Sequence, residues 1–465
     1  MSFRFSKASV GVLAAVLAAP ALADGDVVLS NTTNVTTGSN ITVSVNLADM
    51  SASAVGAQMH VGYDAAVLEY VGITAGDAFG TLIYSNHSLA SSRVSFATGV
   101  AGGESGITSG NIAKITFKVL VDSCADLDAA VFTTGSFPSR ISDNNGLPIS
   151  FTQVNNSSVS AYGDYALAGV PGDVTVPADA GTTDGALVSL TAPTATDTCG
   201  ASLAVTPSRS DSASMSAPYP VGSTTVTWTS AADPAGQVRT GTTVVNVSNY
   251  QLLSVDVNLA GTIAGSGSTA IRIKLNDNSV VNPSVSFDAA GDGSAIDAQV
   301  PVAESYSCAA AADASHTLSS SKSVSVSGTK YAAESAYSLQ GGDSTGDNFI
   351  DILDFGAYVG DFGSGKDFDS RSNFNRDGEV DSGDFTFISI GFLAEGDTCG
   401  SAATGGAPRT AVSVKELRRM GMGDLAYGDL NRDGVINAAD IAWYMENGPV
   451  PAKTPVKPTT GNATY

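Results

Sequence analysis

Three twelve-residue segments near the C-terminus place side-chain oxygens at relative positions 1, 3, 5, 9 and 12: DSTGDNFIDILD, NFNRDGEVDSGD and DLNRDGVINAAD. In the first, the oxygens come from Asp343, Thr345, Asp347, Asp351 and Asp354. In the second they come from Asn373, Asn375, Asp377, Asp381 and Asp384, and in the third from Asp429, Asn431, Asp433, Asn437 and Asp440. Position 7 adds a backbone carbonyl, from Phe349, Glu379 and Val435. Calcium is a hard cation that takes about 6 to 8 oxygens, and one tight loop presents them when the backbone reverses at position 6. Gly378 and Gly434 suit that reversal; the first segment has Asn348 there, which tolerates a left-handed backbone better than most residues. Position 8 is a β-branched apolar anchor each time, Ile350, Val380 and Ile436. Asp, Asn and Gly abound in linkers, but three copies with the same anchor point to calcium-binding loops, with Ca2+ as the expected cofactor.

Each loop closes on Asp, where an EF-hand usually closes on Glu, and an apolar segment follows: FGAYVGDFG, FTFISIGFL and IAWYMENG. Residues 336–399 thereby resemble the paired repeat of type I dockerin modules. The resemblance implies a small α-helical, EF-hand-like module that folds around calcium and docks onto a cohesin. Dockerins often carry Ser and Thr at loop positions 10 and 11, where they read the partner. The corresponding partner-binding candidates here are Ile352 and Leu353, Ser382 and Gly383, and Ala438 and Ala439. The family's specificity therefore does not carry over. The third loop follows a predicted helix around VKELRRM within residues 400–465 and is expected to stand apart as an unpaired accessory site.

At the other end, NITVSVNLADM alternates apolar and polar residues as a half-buried strand does. AQMHVGYDAAVLEYVGI then gives a strand, a turn at Tyr63 and Asp64, and an apolar group at Val67, Leu68 and Val71. GNIAKITFKVLV supplies a further alternating strand. In this order residues 24–164 resemble a cohesin domain, which implies a jelly-roll β-sandwich. Related sandwiches that bind carbohydrate share much of the pattern.

Residues 165–250 contain APTATDTCG, a turn at Tyr219, Pro220, Val221 and Gly222 leading into TTVTWT, and a second turn from Asp233 to Gly236. They resemble a hyalin repeat, an Ig-like sandwich of surface and adhesion proteins, although only Cys199 lies inside where such repeats often pair two cysteines. Residues 251–335 carry further strand-like runs, LLSVDVNLAG, AIRIKLN and SVSVSGTKY, and are expected to form another small sandwich. The fold class is therefore multidomain and mainly β, jelly-roll and Ig-like β-sandwiches followed by a small α-helical EF-hand-like dockerin module.

Arg4 and Lys7 precede an apolar run from Val10 to Ala23 that is broken by Pro20 and ends in Ala21, Leu22 and Ala23. The run is shorter than the roughly 20 residues that span a bilayer, so residues 1–23 read as a cleaved signal peptide of a secreted chain. No other segment is apolar enough to span a membrane, and the C-terminus is a Pro/Thr/Lys tail. With 45 acidic against 22 basic residues the formal net charge is −23, which argues against nucleic acid or anionic lipid as partners. Four cysteines in an exported chain imply disulfides, and three pairings of Cys124, Cys199, Cys308 and Cys399 are open. Cys308 with Cys399 would brace the third sandwich against the second calcium repeat.

The three histidines, His60, His87 and His316, accompany no nucleophile motif, and each module is smaller than most catalytic domains. The reading is a secreted, non-catalytic scaffolding protein that assembles by calcium-dependent cohesin–dockerin interaction outside a bacterial cell, in a polysaccharide-related setting that the family resemblance implies. Its partners would be cohesin- or dockerin-bearing proteins, or other copies of itself head to tail. The alternative is an adhesin or carbohydrate-binding surface protein that grips glycan while calcium only stiffens its C-terminal module.

Overall fold

The structure, a computed structural model, describes residues 25–448 apart from 103, 134–137, 261–265, 314–315, 365–366, 368–369 and 400–405. The expected signal peptide and the Pro/Thr/Lys tail lie outside the described residues. Strands dominate, at 47% of the chain against 12% helix. The chain divides into two compact units, residues 1–171 with 191–208 and 227–242, and residues 172–190 with 209–226 and 243–465.

In the first unit, the alternating runs read from the sequence become strands Asn40–Ala48, Ala54–Gly62 and Gly110–Val119. Among the described residues they belong to two six-stranded sheets. Asp26–Thr36 closes the domain by pairing in parallel with Thr152–Tyr162, from Asp26 opposite Thr152 to Thr36 opposite Tyr162. Every second side chain points inward, so Val43, Val45, Met59, Val61, Ile115 and Phe117 form one buried core. Val67 and Leu68 join it, but Val71 is half exposed, because a register shift between Tyr70 and Gly72 turns its side chain outward. Cys124, on strand Ser123–Asp128, is bonded to Cys199, with Cα atoms 5.2 Å apart.

The second unit departs from the expected sandwich over residues 251–335. Gly267–Leu275 pairs through Ser284–Phe287 and Asp292–Val300 to Gln251–Ala260, and on through Lys330–Ala333, Ser320–Ser327 and Cys308–Asp313 back to Gly267–Leu275. The ring is a closed barrel; closure leaves its members no edge strand, which two open sheets would not achieve. Its core holds Leu253, Val255, Ile271, Ile273, Val285 and Tyr331. The boundary also moves, since strand Tyr337–Gln340 pairs with Val257–Ala260 and so belongs to the barrel rather than to the loop–helix repeats.

Beyond the barrel the described residues form four α-helices, α1 (Ile352–Asp361), α2 (Ser382–Gly391), α3 (Val414–Met420) and α4 (Ala438–Asn447). Among the described residues no helix is long and apolar enough to cross a membrane. Of the three disulfide pairings left open by the sequence, the structure takes Cys124–Cys199 with Cys308–Cys399. A peptide map of the unreduced protein should yield those two linked pairs; linked peptides joining Cys124 to Cys308 or Cys399 would contradict this connectivity.

Candidate functional site

Each of the three oxygen-rich segments folds as a loop that runs directly into a helix, and one hydrogen-bond pattern recurs in all three. Position 9 is the helix N-cap and position 12 the third helical residue, Asp351 with Asp354, Asp381 with Asp384, and Asn437 with Asp440. Each pair is a reciprocal capping box, which satisfies amides that the first helical turn otherwise leaves unbonded. Position 12 also reaches back to the loop's beginning. Phe374 and Asn375 donate their N–H groups to Asp384 Oδ1 at 2.6 and 3.0 Å, and Leu430 and Asn431 donate to Asp440 Oδ1 at 2.8 and 3.1 Å. Thr345 N–H donates to Asp354 Oδ1 at 3.0 Å. All three aspartates have no exposed surface.

The backbone is left-handed at position 6 in each loop, with φ of 72° at Asn348, 97° at Gly378 and 90° at Gly434. It is also left-handed at position 4, at Gly346, Arg376 and Arg432, a second reversal that the sequence reading did not anticipate. Position 8 joins the first two repeats reciprocally. Ile350 N–H donates to Ala394 O (3.0 Å) and Ile350 O accepts from Leu393 N–H (2.7 Å), behind α2; Val380 N–H donates to Ser364 O (2.8 Å) and Val380 O accepts from Gly363 N–H (2.8 Å), behind α1. In the third loop Ile436 pairs instead with Val412.

The loops concentrate buried and closely spaced oxygens. Oxygens of Asp343, Asp347 and Asp354 lie within 4.8 Å of one another. Burial pushes the Asp343 carboxyl up to about 7 and that of Asp384 up to about 6, and it raises Asp354 well above the usual carboxylate range. At position 1 of the other loops, Asn373 Oδ1 and Asp429 Oδ1 are buried without a hydrogen-bond partner. Buried oxygens this poorly satisfied disfavour the folded state unless something positive meets them. Crowded carboxylate, amide and carbonyl oxygens are the donor set of a hard divalent cation.

Two loop residues also bond to the barrel. Asn348 Oδ1 accepts from Ser319 N–H and Ser319 Oγ–H, both at 2.8 Å. Arg376, 3% exposed, donates to Asp313 Oδ2 at 2.5 Å, and Asp313 Oδ1 meets His316 Nδ1 at 3.0 Å. The sequence showed Arg376 only as a charged loop residue, since its partner lies 63 positions away.

Two expectations are corrected here. Ile352 and Leu353, candidates for reading a partner, are 0% and 3% exposed and face the core, because α1 is covered on all sides. Ser382, Ala438 and Ala439 are exposed, and Gly383 is half-buried. The third loop does not stand apart: Val412, Leu417, Leu425, Ile436 and Tyr444 share one core with Ile350, Phe355, Val380 and Ile388 of the first two repeats.

The two-sheet domain at the other end, with its parallel pairing of first and last strands, is decided by comparison. Residues 25–162 match the cohesin domain family. That family is a non-catalytic interaction module. Solved structures similar to this domain include the sixth cohesin of Acetivibrio cellulolyticus scaffoldin B in complex with a mutant dockerin, at 18% identity over 30% of this chain and 98% of that chain, TM-score 0.26. A type I cohesin–dockerin complex from Clostridium thermocellum matches at 18% identity over 31% and 99%, TM-score 0.27. A non-cellulosomal cohesin from the archaeon Archaeoglobus fulgidus matches at 15% identity over 30% and 91%, TM-score 0.23. A search of curated proteins finds no match.

Removing one partner from a buried ion pair costs about 3–5 kcal/mol, whereas a half-exposed pair contributes about 0–1 kcal/mol. Arg376→Ala should therefore destabilise the second unit by several kcal/mol in urea unfolding, and Arg371→Ala, whose partner Asp361 lies 2.8 Å away at the surface, by under about 1 kcal/mol. The raised carboxyls set a pH dependence. Asp343 and Asp384 hold protons more tightly folded than unfolded, so in chelator their ionisation opposes folding. That opposition is absent below about pH 4 and grows as the pH rises to about 7. The metal-free second unit should melt lower at about pH 7.5 than at about pH 5, and Asp343→Asn should flatten the slope.

Proposed function

We propose that this protein is a secreted assembly protein whose C-terminal repeats bind calcium and dock, in dockerin fashion, onto the cohesin domain of another copy. The observation that carries the calcium reading is the pair of buried, unpartnered oxygens of Asn373 and Asp429 at the same position of two loops. A random acidic turn would have no reason to repeat them. The assembly reading is supported by a cohesin domain and two reciprocally paired loop–helix repeats within one chain. Residues 165–250 fit a hyalin-type spacer between these ends.

Calcium, when bound, supplies the positive charge that neutralises clustered carboxylates. Asp343, Thr345, Asp347, Asp351, Asp354 and the Phe349 carbonyl would hold it in the first loop. Asn373, Asn375, Asp377, Asp381, Asp384 and the Glu379 carbonyl would do so in the second, and Asp429, Asn431, Asp433, Asn437, Asp440 and the Val435 carbonyl in the third. The position-12 aspartates then fix helix start to loop start, so the face that each helix presents depends on its loop being ordered. Head-to-tail association of this kind builds rings if the rotation closes and filaments if it does not.

Extracellular calcium modules bind at about 0.1–1 mM, so 1 mM calcium adds roughly 1 kcal/mol per site by mass action. In the full chain, calorimetry should register calcium uptake that Asp354→Ala and Asp384→Ala each reduce by one site. Calcium should raise the melting temperature of the second unit, barrel included, and leave the cohesin domain unchanged. A second unit that takes up no calcium would overturn the metal reading; calcium uptake with strong binding of the full chain to a glycan array, and no self-association, would favour an adhesin.

A further inference from the structure

The first two repeats pair reciprocally, so α1 and α2 are counterparts residue for residue, yet α1 is covered where α2 presents a face to solvent. On α2, Ser382, Thr386, Ser389 and Ile390 are exposed, Ile390 by 79%, and Leu393 just beyond is 44% exposed. The face carries no exposed charge in a chain of net charge −23. The counterparts on α1 are Ile352, Gly356, Val359 and Gly360, and the first three are buried.

The 3-10 turn Gly423–Gly428 of the third repeat lies against the two glycines among them. A Cβ on Gly356 would lie 2.9 Å from Leu425 O, and one on Gly360 would lie 3.4 Å from Asp424 O. A Cβ on Gly428 would meet Gly356 Cα at 2.9 Å. Glycine stands where the two backbones meet, while α2 has Thr386 and Ile390 at the same places. The cover is fastened by Tyr358 OH against Tyr444 OH (2.6 Å) and by Arg371, which bonds Asp361 and lies 3.7 Å from Asp424.

We propose that the module is one-faced: the third repeat permanently occupies the docking face of α1, and only α2 engages the cohesin domain of a second copy. This rests on the docking reading above and adds which helix docks and what excludes the other. The occupant is argued from charge. Strand Thr81–Ser88 and the following Leu89 read TLIYSNHSL, with no Asp, Glu, Lys or Arg, and expose Ile83 (68%), Tyr84 (55%) and Leu89 (70%). Two copies this acidic meet most readily through their uncharged apolar surfaces, since elsewhere like charges face each other. One docking face and one cohesin domain per chain permit one link at each end.

The test is sedimentation velocity on the full chain in calcium, comparing wild type with Ile390→Arg, Ile83→Arg and, as a control on exposed α4, Met445→Arg. All three positions are exposed, and thermal melts verify folding. Expected are concentration-dependent oligomers of the wild type and of Met445→Arg, and an association constant lowered at least about tenfold by Ile390→Arg or by Ile83→Arg alone. An equimolar mixture of those two variants should form a dimer and stop there, because one intact α2 faces one intact cohesin domain. Association abolished by Ile83→Arg but untouched by Ile390→Arg would overturn the one-faced proposal and leave cohesin docking standing. A wild type that stays monomeric in calcium would overturn docking between copies itself.

Discussion

Asp354, Asp384 and Asp440 are carboxyl side chains without exposed surface, and each one is hydrogen-bonded both to the first residues of its loop and to the cap of its helix. Burial of such a group disfavours its charged form, yet its hydrogen bonds tie the two ends of its loop together. The amides it accepts soften that penalty but bring no net positive charge. The C-terminal fold is therefore built around a charge problem, and helix direction, the left-handed turns and the reciprocal pairing behind the helices all follow from holding oxygens around one point. A cation at that point would offset the burial penalty and turn the same arrangement into a source of local order.

The positions where the loops depart from a regular pattern are the positions where the barrel attaches. Asn348 replaces the glycine expected at the reversal, and its side chain bonds Ser319 of the barrel and, through Nδ2, Gly396 O (2.9 Å). A glycine would adopt the backbone at no strain but could make neither bond, so the mild strain of a left-handed Asn secures an attachment. Arg376 occupies the same left-handed position as the exposed Arg432 of the third loop, but it is buried against Asp313. With Cys308–Cys399 closing the same junction covalently, the barrel and the repeats share their stability rather than hold it separately.

The cohesin strands were legible because their cue is local: Asn40–Ala48 and Gly110–Val119 alternate in the sequence as they do in the sheet. The loops were legible for the same reason, since all their oxygens lie within twelve consecutive residues. Three features were not. Closure of the barrel depends on Gly267–Leu275 finding Cys308–Asp313, a pairing that no local pattern records. The Arg376–Asp313 pair joins residues of unremarkable type across a long separation. Burial of Ile352 and Leu353 depends on which segment returns to cover α1, although two apolar residues at the head of a helix, where α2 has Ser and Gly, were a sign that this face looks inward.

The glycines of α1 decide between an ornament and a functional part for the third repeat. A loop added merely for further calcium could sit anywhere on the surface, and α1 could then keep the larger helix-favouring side chains that an exposed face tolerates. Instead Gly356 and Gly360 each weaken a ten-residue helix by about 1 kcal/mol relative to alanine. That loss is offset only by close approach of the Gly423–Gly428 turn, whose carbonyls lie where a Cβ would otherwise project. The sequence of α1 is thus fitted to its cover, whereas α2 packs Phe387 and Ile388 into the shared core and leaves Ile390 on its other side facing solvent. Ile390, exposed where its counterpart Gly360 meets the Gly423–Gly428 turn, is the asymmetry on which the one-faced proposal rests.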